Sequence, residues 1–74
     1  MAKQFHSGLT ILRRRQVEAR TGLSRSTLYQ RIAEGSFPAP INLGNASIGD
    51  RAVGWVESEI ESWIATQIER SRAA

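Results

Sequence analysis

Residues 22–38, GLSRSTLYQRIAEGSFP, hold the pattern that decides the fold. Gly22 can end a preceding helix, because glycine adopts the left-handed conformation without steric cost. Ser24 can cap the next helix, since its side-chain oxygen reaches the free amides of the first turn. The pattern therefore predicts a helix over 25–34 that ends at Gly35.

The residues just before this stretch complete a two-helix unit. We predict a short helix over 14–21, with Val17 as its clearest core residue. In the second helix, Leu28 and Ile32 share one face at about 100° per residue. Two short helices joined by a three-residue turn that contains glycine are typical of a helix-turn-helix.

The opposite face of the second helix carries hydrogen-bonding groups and few carboxylates. Proteins hold duplex DNA by neutralising phosphates and read it through base edges, so such a face fits a DNA reader. We place four side chains nearest the major groove: Arg25, Ser26, Tyr29 and Gln30. We predict that Thr27 and Arg31 contact backbone or bases and that Ser24 adds a phosphate contact to its cap. The alternatives, Ser24 as a cap alone and Arg31 as a solvated residue, stay open.

The charge is unevenly distributed along the chain, whose net charge is +3. Residues 1–52 carry eight basic and three acidic side chains, whereas residues 53–74 carry two basic and four acidic ones. This pattern fits a molecule that meets a polyanion at one end. Within the run Arg13–Arg15 we predict that Arg14 and Arg15 contact the DNA backbone. A solvated helix start, and arginines that only solubilise the surface, fit the charge equally well.

Two short strands follow the second helix. The prolines in 38–40 forbid helix there and predict an extended segment. Residues 41–43 (INL) and 51–55 (RAVGW) alternate as strands do, and the turn formers in 44–50 predict a hairpin between them. We expect Arg51, near the tip of this wing, to reach solvent or phosphate.

A third helix is predicted to begin at SEIE, where Ser58 and Glu61 have the spacing of a capping box. Its apolar stripe, at helical spacing, consists of Ile60, Trp63, Ile64 and Ile68. We predict Phe37, Trp55 and Trp63 as core residues rather than platforms for stacked bases.

Composition excludes several classes of function. A chain of 74 residues buries only about 60% of the surface that it exposes when unfolded, so a deep catalytic cleft is not expected. Cysteine is absent and the one histidine, His6, lies in a polar stretch, so we predict no metal, no cofactor and no enzymatic activity. No apolar run approaches the roughly 20 residues of a membrane span, and the N-terminus lacks the apolar centre of a signal peptide, which predicts a cytoplasmic protein without membrane contact.

These elements define the predicted fold class: mainly α with a small β-hairpin, a winged helix-turn-helix of three helices plus a two-stranded wing. We assign residues 1–9 to a flexible N-terminal arm, 10–70 to the DNA-binding domain and 71–74 to a frayed C-terminal tail.

The run GLSRSTLYQRIAEGSFPAPINLG, followed by RAVGW and ESEIESWI, resembles the AlpA-like prophage regulators, which are relatives of MerR-type and phage excisionase DNA-binding domains. The resemblance covers Ile11 to Ile68. It implies a winged helix-turn-helix protein of bacterial or phage origin, with SRSTLYQR at the start of the recognition helix, GSFPAP as the turn into the wing and RAVGW as the returning wing strand. Residues 45–50 depart from the family pattern and imply a longer wing.

We therefore predict a sequence-specific double-stranded DNA-binding protein that regulates transcription of prophage or mobile-element genes. The alternatives are an excisionase-like recombination directionality factor, or an antirepressor that binds protein through the acidic last helix. Double-stranded DNA is the predicted partner, together with RNA polymerase for a regulator or an integrase for an excision factor. The oligomeric state stays open between a monomer and a pair of subunits joined through Ile68, and so does cooperative binding at repeated sites.

Overall fold

A computed structural model of the chain describes residues 9–45 and 52–73. Within these residues the chain forms, in order, β1 (Ile11–Leu12), α1 (Arg14–Thr21), α2 (Arg25–Glu34), β2 (Ile41–Asn42), β3 (Val53–Val56) and α3 (Glu57–Ala73). This arrangement confirms the predicted class, a mainly helical winged helix-turn-helix with a small β-hairpin. No helix in the described part of the chain is long and apolar enough to cross a membrane.

The first two helices have the predicted bounds. Both end at a glycine in the left-handed conformation, with φ of 75° at Gly22 and 79° at Gly35. The amide of Gly22 donates to Glu18 O at 2.7 Å, and the amide of Gly35 donates to Ile32 O at 3.1 Å. A residue with a side chain is strained at such φ values, which explains why glycine marks both ends.

The sheet has one strand more than predicted. β3 lies in the centre and pairs antiparallel with β1 on one side and β2 on the other. Leu12 lies opposite Trp55 in the first pair, and Ile41 lies opposite Gly54 in the second. The partner of β1 lies far along the chain, after both helices and β2.

The wing is described at its base only. The amide of Leu43 donates to Ala52 O at 2.8 Å, which continues the β2–β3 pairing towards the tip. The side chain of Asn42 accepts from the amide of Gly44 at 2.9 Å and begins the turn. Residues 46–51 lie outside the described residues, and so do the predictions for Arg51 and for most of the longer wing loop. The predicted arm, except Leu9, also lies outside them.

The predicted start of the third helix is wrong. α3 begins at Glu57, directly after β3, so Ser58 is its second residue and not its N-cap. The cause lies in β1, because Thr10 O accepts from the amide of Glu57 at 2.8 Å and carries the strand pairing up to the first helical residue. Glu57 and Glu59 remain in the first turn, where carboxylates interact favourably with the helix dipole.

β1, β3 and the three helices each supply one buried side chain to a single core, and the segment after α2 supplies another. Its buried apolar residues are Leu12, Val17, Leu28, Phe37, Trp55 and Ile60. Trp55 is fully buried and its indole Nε1 donates to Pro38 O at 3.0 Å. Trp63 is only half-buried. Its ring meets that of Phe37 edge to face at 4.8 Å, and its Nε1 donates to Ser36 O at 2.7 Å.

Candidate nucleic-acid interface

The turn between α1 and α2 is fixed by side-chain hydrogen bonds. The hydroxyl of Thr21 donates to Val17 O at 2.8 Å, and the amide of Leu23 donates to the same hydroxyl at 3.2 Å. Leu23 packs against the core from this turn. These contacts at the end of α1 and in the turn help to orient α2 relative to α1.

The cap of α2 occupies one hydroxyl and leaves another available. Ser24 Oγ accepts from the amide of Thr27 at 3.3 Å and donates to Thr27 Oγ1 at 3.0 Å. Thr27 Oγ1 accepts this bond, so its own proton remains available for an acceptor outside the described residues. The first turn of α2 contains no acidic residue, which favours an anion at this end of the helix.

One face of α2 is exposed and polar. Leu28 is buried on the opposite side of the helix, whereas Arg25, Ser26 and Gln30 are exposed. The side-chain amide of Gln30 approaches Glu34 Oε2 at 3.4 Å, a distance too long for a strong hydrogen bond. Ser26 and Gln30 thus share the face opposite Leu28, and Arg25 is exposed in the first turn. The contacts of these side chains with DNA remain a prediction.

Two arginines of the basic half are paired with carboxylates. Arg14 Nη1 lies 2.5 Å from Glu18 Oε2 within α1, and Arg20 Nη1 lies 2.7 Å from Glu57 Oε2 at the start of α3. Arg14 therefore brings a partly neutralised charge to its predicted phosphate contact. The Arg14–Glu18 spacing of four residues is the sequence signal for this pair.

Other arginines keep their charge available. Arg15 and Arg25 are exposed and form no ion pair within the described residues. Arg31 is half-buried, and its buried Nε has no hydrogen-bond partner in the part of the chain that the structure describes. Arg31 is therefore more enclosed than a solvated flank residue would be.

Tyr29 differs from the other predicted groove residues in packing on a buried core residue. Its ring meets the ring of Trp55 at 6.4 Å, with an interplanar angle of 65°, while 39% of Tyr29 remains exposed. Tyr29 thereby contributes to a depression of about 330 Å³ between the start of α1 and the base of the wing. The depression is lined by Arg13, Arg14, Arg15, Tyr29, Ala52 and Val53.

The structure groups the predicted site residues into two neighbouring sets. One set is the exposed face of α2, and the other is the depression, which joins Arg14 and Arg15 to Tyr29. The predicted contacts omit Arg13, which lines the same depression. The position of Arg13 immediately before α1 is the sequence feature that could have placed it among the predicted contacts.

The residues 9–45 and 52–73 contain no cluster of three or more His, Cys, Asp or Glu side chains that could hold a metal ion. The polar groups gathered at α2 and the depression are instead cationic and hydroxylic.

Comparison with known proteins identifies the family. A family model described as prophage CP4-57 regulatory protein (AlpA) matches residues 10–68. The chain belongs to this family. The match spans every helix and strand up to Ile68, so the helix-turn-helix, the wing base and most of α3 are AlpA features.

Two relatives of this AlpA-family chain differ in how much of them it covers. The DNA-binding transcriptional activator AlpA of Escherichia coli (strain K12) is 31% identical over 65 residues, which are 80% of this chain and 86% of the relative. The uncharacterized protein ORF88 of Enterobacteria phage P4 is 43% identical over 47 residues, which are 64% of this chain and 48% of that protein. The chain thus spans about half the length of the phage relative.

Proposed function

We propose that this AlpA-family chain is a DNA-binding regulator that inserts the exposed face of α2 into the major groove of double-stranded DNA. The observation that carries the proposal is the exposure of polar side chains on α2. Ser26 and Gln30 lie opposite the buried Leu28, and Arg25 is exposed in the first turn. Arginine and glutamine supply the bidentate contacts that distinguish guanine and adenine edges.

Two further groups are suited to contact DNA phosphates. The proton of the Thr27 hydroxyl and the charge of Arg15 are not used within the described residues. Phosphate contacts fix the register of a protein on the duplex, whereas base contacts select the sequence. We therefore assign Thr27 and Arg15 to positioning and the exposed face of α2 to sequence selection.

The finer proposal is regulation of prophage or mobile-element genes from a site in the cytoplasm, without enzymatic activity. The family and the name of the E. coli relative, a DNA-binding transcriptional activator, support it. RNA polymerase is then the expected protein partner.

A fluorescence anisotropy titration tests the proposal. The probes are duplexes from the chain's own genomic neighbourhood and random duplexes of equal length. We expect at least one neighbouring duplex to bind about 10³-fold or more tightly than random DNA. Equal binding to all duplexes, even at low salt, would sink the proposal.

Two variants then test whether side chains of α2 contact the bases. Arg25→Ala and Gln30→Ala should each lower affinity for the preferred duplex by about tenfold or more, since each removes a bidentate base contact. Arg72→Ala is the matched control, because it removes one exposed positive charge from the last turn of α3. A loss in the control equal to that in Arg25→Ala would indicate a general charge effect.

A second candidate function, a recombination directionality factor or protein-binding antirepressor, is favoured by a separate surface. A groove of about 510 Å³ runs between residues 35–38 and α3, and its lining includes Glu59, Gln67 and Arg70. An integrase would be the partner of an excision factor. Full activity in an antirepression assay after Arg25→Ala and Gln30→Ala would favour the protein-binding candidate over the regulator.

A further inference from the structure

The depression between α1 and the wing base is lined by cationic side chains. Its volume of about 330 Å³ leaves room for a hydrated phosphate group. Among the described residues, three arginines and one tyrosine line it, and no carboxylate does. Its lining therefore has the composition of an anion site.

Two of the three arginines keep their full charge. Arg14 is paired with Glu18, but Arg13 and Arg15 are exposed and have no ion pair within residues 9–45 and 52–73. The cap of α1 does not use the Arg13 side chain. The side-chain oxygen of Gln16 accepts from the backbone amide of Arg13 at 2.8 Å, whereas a guanidinium has no acceptor to offer the helix.

The ring of Tyr29 is held in place by the buried Trp55. Trp55 is fully buried, and its Nε1 is bonded to Pro38 O. The ring of Tyr29 packs edge to face on this fixed indole, while its exposed part lines the depression. Its hydroxyl has no partner among the described residues, and a phenol can donate one hydrogen bond to a phosphate oxygen.

We propose that this depression, the α1–wing notch (Arg13, Arg15, Tyr29), binds a single phosphodiester of the DNA backbone. The inference rests on the proposed function and deepens it. It assigns Tyr29 to a phosphate and not to a base edge, and it adds Arg13 to the interface. One phosphate held between α1 and the wing base fixes the register with which the exposed face of α2 enters the groove.

Salt titrations separate the charge of Arg13 from the hydroxyl of Tyr29. Arg13→Ala should weaken binding to preferred and random duplexes alike and reduce the slope of log K against log salt by about 0.9. Tyr29→Phe should weaken both duplexes by about tenfold, as expected for a lost bond to a charged group, and leave the slope unchanged because a neutral donor releases no counterion. Arg72→Ala, the matched control, should leave the slope unchanged.

Loss of affinity for the preferred duplex alone in Tyr29→Phe would overturn the assignment, since a base contact and not a phosphate contact behaves in that way. An unchanged slope in Arg13→Ala would overturn the role of Arg13. Thermal melts of both variants should match the unaltered protein, because both side chains are exposed. If Arg13→Ala melts lower, Arg13→Gln, which keeps most of the side-chain length, serves in its place.

Neutral backbone probes locate the phosphate. A series of preferred duplexes, each with one phosphate replaced by a methylphosphonate, is titrated with the unaltered protein, Arg13→Ala and Tyr29→Phe. At one position the methylphosphonate should lower the affinity of the unaltered protein about tenfold. The two variants have already lost this contact, so the same methylphosphonate should lower their affinity little further. Equal losses in all three proteins at every position would refute the notch. The proposed function would survive that result as long as the unaltered protein still binds DNA. If the unaltered protein binds none of the duplexes, the proposed function and the notch are both refuted.

Discussion

The helix-turn-helix and the sheet beside it are held by contacts of different range along the chain. Between α1 and α2 the ordering bonds are local, such as the amide of Gly22 to Glu18 O and the amide of Thr27 to Ser24 Oγ. In the sheet the bonds join distant segments, since Thr10 O accepts from the amide of Glu57 and Leu12 lies opposite Trp55.

This difference predicts unequal consequences when each region is altered. A local cap can be lost while the rest of the molecule keeps its packing, whereas β3 connects β1, β2 and α3 and carries the central core residue. Substitutions in β3 should therefore lower the stability of the whole chain most, and substitutions in the helix-turn-helix should lower it by smaller amounts.

The largest effect is expected for Trp55→Ala. Loss of a fully buried indole costs about 3–5 kcal/mol, against a total stability of roughly 4–11 kcal/mol for 74 residues at typical values per residue. The variant should be largely unfolded or melt far lower, as followed by circular dichroism. Trp63→Ala, which removes the half-buried indole, should cost less. The reverse order would show that the core is centred on α3 and not on β3.

Gly54→Ala should have the next largest effect. An added Cβ would lie 2.5 Å from Ile11 Cγ2, 2.8 Å from Leu43 Cδ1 and 3.2 Å from Leu12 O. Leu43 Cδ1 is the end of a flexible side chain and can move. Ile11 Cγ2 is bonded to a stiff β-branched carbon, and Leu12 O belongs to the backbone of β1, so we expect a cost of about 1–3 kcal/mol. Urea titration measures it.

The double variant Gly54→Ala/Leu43→Ala sharpens this prediction. Truncation of Leu43 removes one of the close contacts, so the two changes together should cost less than the sum of their separate costs. Strict additivity would mean that crowding across β3 is not the cause.

Ser24→Ala tests the local region and should cost about 1 kcal/mol, because the amide of Thr27 loses its acceptor. Ser26→Ala is the matched control on the same helix, since Ser26 is exposed and bonded to no other described residue, and it should change the free energy of unfolding by less than about 0.5 kcal/mol. Urea titrations of both variants give the comparison. Equal effects of the two substitutions would remove the cap as the explanation.

The smallest effect is expected for the ion pair that joins the two regions, Arg20 of α1 with Glu57 of α3. Its atoms are 2.7 Å apart, but the side chains are 44% and 19% exposed, so a double-mutant cycle with Arg20→Ala and Glu57→Gln should give a coupling of less than about 1 kcal/mol. The coupling should shrink further with added salt. A larger, salt-independent value would show that this pair is a principal link between the two regions.

Sequence patterns account for the helix-turn-helix almost residue by residue. The bounds of α1 and α2, the cap at Ser24 and the glycine stops were predicted correctly, because each depends on groups within about five residues along the chain. The polar face of α2 follows from helical periodicity in the same way. The start of α3 was predicted wrongly, since the strand pairing that precedes it depends on β1.

The sequence by itself thus determined the class of fold, the two helices of the helix-turn-helix and the face of α2 that is exposed to solvent. Only the tertiary structure decided that β1 completes a three-stranded sheet, that Arg20 pairs with Glu57, and that Tyr29 packs on Trp55 beside Arg13 and Arg15. The physical reason is the distance along the chain over which each interaction acts. Caps, stops and periodicity act between neighbours in the chain, whereas strand partners, ion pairs and concave surfaces depend on which distant segments the shared core brings together.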